Sequence, residues 1–241
     1  MRLSRLYVNR PLQSGSEAVL DEPAARYVSQ VLRLRAGDSV TLFDGSGRDF
    51  AAELTRCGRR ACSARVGEVL TSEPPARLQL HLGIGISRGE RMDFAIQKSV
   101  ELGVTAITPL FTERSVVQLD AGRLDRRIAH WQGVVVSACE QSGRSRLPVL
   151  RAAAGLADWL KTRDGGLMLD HRAPRSLAAL PDPGNALTLL VGPEGGLSGT
   201  ERELAAAHRF IGVRLGPRVM RTETAPLAAL AAIQALWGDF R

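Results

Sequence analysis

The hydrophobic and polar positions of this chain follow two different patterns, and the change occurs near residue 72. Before that point, short apolar segments recur about every ten residues, at 40–43, 49–54 and 61–66. Segments at this spacing are typical of the strands of a small β-barrel. The stretch 24–34 differs, because its apolar residues have helical spacing, and it predicts one amphipathic helix.

Consecutive prolines mark the end of the first pattern, because the polar segment 71–75 closes with Pro74 and Pro75 and interrupts both helix and strand. Beyond it, strand-like and helix-like segments alternate. The predicted strands are 78–86, 104–111, 166–170, 186–191 and 210–215, and the predicted helices are 90–102, 123–140, 156–161 and 225–237. This alternation predicts a mainly parallel sheet with helices on both faces. We therefore predict two domains, residues 1–72 and residues 73–241.

Two glycine-rich turns follow two of the predicted strands. Residues 192–197 read Gly-Pro-Glu-Gly-Gly-Leu and residues 216–224 read Gly-Pro-Arg-Val-Met-Arg-Thr-Glu-Thr. Open α/β sheets bind ligands at the carboxyl ends of their strands, and glycine lets a ligand approach the backbone. Ser198 and Glu201 have the spacing of a capping box, so a helix is expected directly after the first turn. A single Gly-Pro pair can simply end a strand, but two such turns favour a ligand pocket.

Two other glycine-containing segments do not predict a ligand pocket. The segment 44–47, Asp-Gly-Ser-Gly, lies between two short predicted strands, which favours a hairpin turn. The segment 83–89 lacks the G-x-G-x-x-G spacing of dinucleotide-binding proteins, which argues against a dehydrogenase.

The basic residues indicate a nucleic-acid partner more by position than by number. The formal net charge is +7, and Lys98 and Lys161 are the only lysines. Arginine binds phosphate with paired hydrogen bonds and stacks on bases, although a GC-rich genome also enriches it. Two clusters without internal acids contain Arg2, Arg5 and Arg10, and then Arg26, Arg33 and Arg35. These clusters suit RNA, and a solvated basic face is the alternative.

Several classes of protein are disfavoured by the sequence. No apolar stretch approaches the roughly 20 residues of a membrane span, and the first residues lack the apolar core of a signal peptide. The three cysteines form no C-x-x-C pair and the four histidines are scattered. We therefore expect a cytoplasmic protein with reduced thiols and no metal.

The two turns resemble those of the RsmE family of the SPOUT methyltransferase superfamily, which carries V-G-P-E-G-G and L-G-P-R turns before its last helix. The similarity continues upstream through 91–103, 112–115 and 140–148 and covers essentially the whole chain. Met220 replaces a commoner leucine, and Pro226 stands early in the last helix, where proline is tolerated. The resemblance implies an α/β fold with a C-terminal SPOUT trefoil-knot domain and a small N-terminal PUA-like RNA-binding β-barrel.

The resemblance also implies an activity, which is S-adenosylmethionine-dependent methylation of N3 of one uridine, uridine 1498 of 16S rRNA. The implied substrate is the assembled 30S ribosomal subunit, and the implied state is a homodimer. The cofactor would lie bent against the backbone of the two turns. The expected cofactor-binding residues are Leu169, Val191, Gly192, Pro193, Glu194, Gly195, Gly196, Leu215, Gly216, Val219, Met220 and Thr222.

Methylation of a ring nitrogen requires alignment and loss of the N3 proton. We expect Arg218 and Arg221 to stabilise the uracil anion, and Glu194 or Glu223 to accept the proton. A buried ion pair with a neighbouring arginine is the alternative role of Glu223. The RNA-binding candidates are Arg5, Arg10, Arg33, Arg35, Lys98, Arg114, Gln141, Arg144 and Arg146, and a structural role is equally open for Lys98 and Arg114.

The last predicted helix, 225–237, is apolar on nearly every side, which places it in the core or at a dimer interface. Two other functions remain open: an RNA-docking protein without catalysis, and 2′-O-methylation of ribose. The presence of Gly192, Gly195, Gly196 and Gly216 argues against the first. The absence of an early asparagine-rich motif argues against the second.

Overall fold

The computed structural model describes residues 4–115 and 121–240, and their contacts divide the chain into two compact units. The first comprises Met1–Pro75 and Val136–Leu147, and the second comprises Ala76–Val135 and Pro148–Arg241. The domain boundaries 1–72 and 73–241 stay a prediction. The structure adds a feature that the sequence did not indicate, because residues 136–147 return to the first unit.

The first unit contains a five-stranded sheet in the order β1-β3-β4-β5-β2. Its strands are β1 (Arg5–Tyr7), β2 (Glu17–Leu20), β3 (Ser39–Phe43), β4 (Arg48–Cys57) and β5 (Cys62–Ser72). β1 and β3 are parallel, and the other pairs are antiparallel. The three predicted strands are confirmed as β3, β4 and β5. The sequence did not show β1 and β2, because three or four residues are too few to display alternation.

The predicted helix 24–34 exists in shorter form. Helix α1 (Glu22–Arg26) begins after Asp21, whose side chain accepts a hydrogen bond from the Ala24 N–H at 2.9 Å. It continues as a π-helical turn, Tyr27–Val31. The helical stretch ends before Arg33, which has a positive φ of 56°.

The segment 44–47 forms the turn of the hairpin between β3 and β4, as predicted. Asp44 holds this turn, because its carboxylate accepts hydrogen bonds from the backbone N–H groups of Ser46 at 3.0 Å and Leu12 at 2.9 Å. Burial alone would raise the pKa of Asp44, but a hydrogen bond from the Ser46 side chain, these two backbone bonds and the charge of Arg48 lower it below its ordinary value.

The second unit contains a parallel seven-stranded sheet in the order β12-β10-β11-β6-β7-β8, with β9 also beside β7. Its strands are β6 (Gln79–Gly85), β7 (Ala106–Phe111), β8 (Val149–Leu150), β9 (Ala154–Gly155), β10 (Gly166–Leu169), β11 (Ala186–Val191) and β12 (Phe210–Val213). Its helices are α2 (Glu90–Glu101), α3 (Ala121–Ser142, whose last residues belong to the first unit), α4 (Leu156–Lys161), α5 (Gly199–Ala207) and α6 (Thr224–Trp237). Every strand and helix predicted beyond residue 75 is confirmed, with ends shifted by one or two residues in most cases.

The central strand β6 is buried at six consecutive positions after Gln79, and only His81 is polar among them, which is typical of a strand that is covered on both faces. Helix α6 buries one side, including Ala229, Leu230 and Ile233, whereas Leu236 is 36% exposed. None of the helices within residues 4–115 and 121–240 combines the length with the apolar composition of a membrane span.

Candidate functional site

A cavity of about 540 Å³ lies in the second unit, at the carboxyl ends of β10, β11 and β12. All predicted cofactor-binding residues except Gly216 line it. The structure adds further lining residues: Arg91, Asp170, His171, Leu197, Val213, Arg214 and Ala225, together with the predicted catalytic Arg218, Arg221 and Glu223. The two glycine-rich turns therefore meet at one site.

The first turn connects β11 to α5. The Gly196 N–H donates to the Pro193 carbonyl at 2.8 Å, and Gly196 has a φ of 66°, a conformation that favours glycine. Helix α5 then begins with the predicted capping box, which is confirmed. Ser198 Oγ accepts from the Glu201 N–H at 3.1 Å, and the Glu201 carboxylate accepts from the Ser198 N–H at 2.8 Å.

Close packing of backbone accounts for two glycines at this site. A Cβ atom on Gly85 would lie 2.5 Å from the ring of Pro193, and a Cβ atom on Gly192 would lie 2.9 Å from the Leu197 nitrogen. Neither backbone neighbour can move aside like a flexible side chain. These glycines therefore let the first turn pack on the end of β6 and fold on itself, in addition to any contact with a ligand.

A hydrogen bond of Thr222 connects the second turn to the first. Its hydroxyl, on a residue that is only 9% exposed, lies 3.3 Å from the Gly192 carbonyl oxygen and 3.3 Å from the Ser87 hydroxyl. The cavity wall is thus a connected set of three loops, those after β6, β11 and β12. Such connections hold a binding site in shape before a ligand arrives.

Arg91, near the start of α2, stands between two carboxylates of the cavity. It lies 3.6 Å from Glu194 and 4.0 Å from Glu223. Glu194 also accepts a hydrogen bond from the Arg88 N–H at 3.1 Å. The ion pair that we left open for Glu223 therefore exists, but at a long distance. Oε2 of Glu223 is buried and has no hydrogen-bond partner among the described residues.

Arg218 and Arg221 lie on the second turn and line the cavity. Both are exposed, and within the described ranges neither has an ion pair or a side-chain hydrogen bond. Val219, between them in the sequence, is 73% exposed. The cavity lining therefore carries two exposed cations with no counter-ion among the described residues, together with the Glu223 carboxylate, whose Oε2 faces Arg91 at 4.0 Å without a hydrogen bond.

The predicted RNA-binding residues differ in their environments in the first unit. Arg10, Arg33, Arg35 and Gln141 are exposed. The structure corrects the expectation that Arg5 is an exposed RNA-binding residue. Its side chain is only 9% exposed, forms an ion pair with Asp49 and donates a hydrogen bond to the Arg144 carbonyl at 2.9 Å. A guanidinium held this way belongs to the interior of the first unit rather than to an exposed basic surface.

Arg144 and Arg146 both interact with Glu73. Arg144 lies 3.8 Å from the Glu73 carboxylate and its side chain is 14% exposed, whereas Arg146 Nε donates to the Glu73 carbonyl at 2.9 Å. In the second unit, Lys98 pairs with Glu101 at 2.7 Å and Arg114 donates to the Gly195 carbonyl at 2.9 Å. The structural roles that we left open for Lys98 and Arg114 are therefore present.

Sequence reasoning did not include Arg91, Asp170, His171 or Arg214 in the site. Asp170 and His171 directly follow β10, so the rule of strand carboxyl ends could have indicated them. Arg91 lies within one of the segments that carry the family resemblance. No group of three or more potential metal ligands occurs among the residues that the structure describes.

Comparisons with known proteins agree with this geometry. Residues 74–234 match the RNA methyltransferase domain, and residues 20–67 match the RNA methyltransferase PUA domain. Ribosomal RNA small subunit methyltransferase E of Buchnera aphidicola is 33% identical over 99% of this chain and 98% of its own length. The Rickettsia conorii protein of the same name is 31% identical over 98% of this chain and 97% of its own length.

A crystal structure of a ribosomal RNA small subunit methyltransferase E from Neisseria gonorrhoeae, bound to S-adenosyl methionine, is also similar. It has a TM-score of 0.95 and 40% sequence identity, and the match covers 100% of both chains. The expected fold, a PUA-like domain followed by an α/β methyltransferase domain, is confirmed. The chain belongs to the ribosomal RNA small subunit methyltransferase E family.

Proposed function

We propose that this protein transfers the methyl group of S-adenosylmethionine to N3 of a single uridine, uridine 1498 of 16S rRNA, in the assembled 30S subunit. The observation that carries the proposal is the cavity of about 540 Å³ in which two glycine-rich turns meet the Arg91, Glu194 and Glu223 cluster. The cofactor in the Neisseria gonorrhoeae relative supports the choice of ligand.

The residues of the cavity fit this cofactor. The volume lies within the range of about 300–1,000 Å³ of small-molecule sites. Apolar side chains of Leu169, Val191 and Leu215 can cover an adenine ring, and the glycines of the first turn expose backbone groups for hydrogen bonds. S-adenosylmethionine supplies an electrophilic methyl group on a positively charged sulfur. Oε2 of Glu223, which has no hydrogen bond among the described residues, is compatible with a cation nearby.

The chain's own residues would then bind and deprotonate the uracil. The exposed guanidinium groups of Arg218 and Arg221 favour the uracil anion over the neutral ring. Glu194 is held by the Arg88 N–H and by Arg91, whereas Glu223 retains a buried oxygen without a hydrogen bond. We therefore assign proton acceptance from N3 to Glu223, and assign Glu194 to holding the loop after β6 against the first turn.

Other parts of the molecule complete the proposal. The exposed Arg10, Arg33 and Arg35 of the PUA-like domain are RNA contacts. The exposed Leu236 of α6 faces a second copy of the chain in a homodimer. We also retain the trefoil knot around the second turn, the domains 1–72 and 73–241, and a cytoplasmic location, where small ribosomal subunits are assembled.

The test is transfer of tritium from labelled S-adenosylmethionine to three RNA substrates: undermethylated 30S subunits, free 16S rRNA and transfer RNA. We expect label on 30S subunits at a rate well above that on either free RNA. Faster labelling of free 16S rRNA would contradict the assembled subunit as substrate. Cofactor binding without transfer to any of the three would contradict catalysis and favour an RNA-docking protein.

A further inference from the structure

We propose that Arg151 and Arg163 form a binding site for a backbone phosphate of the substrate RNA, on the second unit and apart from the cofactor cavity. The proposal rests on the proposed function, because it takes RNA as the ligand. The two residues lie outside every segment to which we have assigned a role so far.

Arg163 is oriented by neutral groups. It follows α4, and its Nη1 lies 3.0 Å from Nδ1 of His81 while its Nε donates to the Thr162 hydroxyl at 3.2 Å. The guanidinium carbon lies 5.7 Å from the ring centre of Trp159. The side chain is therefore held in one place without a carboxylate, so its positive charge is not neutralised by the contacts that orient it.

His81 supplies the neutral acceptor. It lies in β6, is 8% exposed, and its Nε2 is 2.7 Å from the Thr108 hydroxyl. Because Nδ1 accepts from Arg163, the ring proton resides on Nε2 and is donated to Thr108. Burial and the charges of Arg163 and Arg151 lower the pKa of His81 to about 4, so the ring stays neutral at neutral pH.

Arg151 adds a second cation to the same place. It follows β8, and its N–H donates to the Ile107 carbonyl of β7 at 2.8 Å, beside the strand that carries His81. The residue is exposed, and its charge lowers the pKa of Arg163 below the ordinary value, second to burial. The two positive charges therefore repel each other, and the imidazole that both of them influence is neutral.

No carboxylate relieves this repulsion within the described residues. The two acids nearest in sequence to Arg163 have other partners, because Asp158 pairs with Lys161 at 2.8 Å and Asp164 pairs with Arg209 at 2.9 Å. An anion bound between the two arginines would remove the repulsion. Its binding would also cost little side-chain entropy at Arg163, which is already oriented.

The chemistry favours a phosphate of RNA. A guanidinium binds two phosphate oxygens with parallel hydrogen bonds, and phosphate contacts position a nucleic acid without reading its sequence. His81 lies four residues before Gly85 on β6, which corresponds to about 13 Å along the strand. A phosphate at Arg151 and Arg163 would therefore fix RNA that flanks the target uridine rather than the uridine itself.

The test uses the full-length protein and a fluorescein-labelled single-stranded RNA of about 20 nucleotides, with binding followed by fluorescence anisotropy at several KCl concentrations. We expect R151Q and R163Q each to weaken binding by about 3- to 10-fold. Each should also reduce the slope of log Kd against log salt by about 0.7, the value for one single-strand phosphate contact. K161Q is the matched control, because it removes one charge near Arg163 that already has a carboxylate partner.

R151Q decides the outcome if R163Q perturbs folding through His81, because Arg151 is exposed. Equal salt slopes for R151Q, K161Q and the wild type would overturn the proposal. A loss of dimer in R151Q by light scattering would also overturn it, because the arginines would then bind a carboxylate of a second copy. Failure of the proposed function looks different: the wild type would bind the RNA probe but transfer no methyl group to ribosomal subunits.

Discussion

Glu223 is the residue to which we assign proton acceptance from the uracil. Its carboxylate is about four-fifths buried, lies 4.0 Å from Arg91, and keeps one oxygen without a hydrogen bond in the described residues. We predict that E223Q lowers kcat by about 10²- to 10⁴-fold at saturating RNA and cofactor, because glutamine keeps the shape but cannot accept a proton. The measurement is single-turnover methyl transfer.

E203Q is the control for this variant, since Glu203 is an exposed residue of α5 outside the cavity lining. It should transfer methyl groups at the wild-type rate. Undiminished turnover of E223Q would leave Glu223 only its ion pair with Arg91 and would remove the proposed proton acceptor.

Individual residues also show what the sequence could not reveal. Arg5 belongs to a basic cluster in the sequence, yet its partner Asp49 lies 44 residues away and buries it. Arg91 approaches Glu194 across about a hundred residues of chain. Ion pairs between distant segments leave no local signal, whereas the capping box of Ser198 and Glu201 depends on a spacing of three residues and could be predicted.

At the scale of elements, the cavity depends on how closely the first turn packs on β6. We predict that G85A weakens S-adenosylmethionine binding at least about 10-fold and destabilises the second unit by about 1–3 kcal/mol, the usual effect of overpacking. The reason is the added Cβ, which would lie 2.5 Å from Pro193 and 3.0 Å from the Gly192 carbonyl carbon. Calorimetric titration with the cofactor measures the affinity.

G199A is the matched control, because a Cβ atom there would have no neighbour within 4 Å. This variant should bind the cofactor like the wild type. Equal affinities of G85A and G199A would show that the packing of the turn does not shape the site.

The sequence predicted those helices and strands whose residue pattern is visible within the segment itself. Strands β6, β7 and β11 are largely buried and consist mainly of apolar residues, a pattern that is visible in the sequence itself. Strands β8 and β9 have two residues each and exist through pairing with β7, so no periodicity could indicate them. Residues 136–147 belong to the first unit because of contacts between distant segments. The sequence could not indicate this, since most of these residues lie in α3, whose helical pattern is uninterrupted.

For the molecule as a whole, His81 gives the stability a defined pH dependence. Its pKa falls from 6.5 to about 4, mainly through burial. The unfolded chain therefore binds a proton between pH 6.5 and pH 4 that the folded chain does not bind, and stability is lost as the pH falls through this interval. We predict a loss of about 3 kcal/mol from this residue between pH 7 and pH 4.

Urea unfolding followed by tryptophan fluorescence measures this loss, since Trp131, Trp159 and Trp237 all belong to the second unit. The comparison is with H81Q, in which the contribution of His81 is absent while other acids still titrate. A wild type and an H81Q variant that lose stability in parallel over this interval would contradict the prediction.

We propose that the cavity serves methylation of a uracil nitrogen. The most direct measurement is mass spectrometry of the nucleosides from 30S subunits that the purified protein has methylated, with the modified position mapped in 16S rRNA. We expect N3-methyluridine at one position, uridine 1498. A methyl group on ribose, or on a different base, would contradict it.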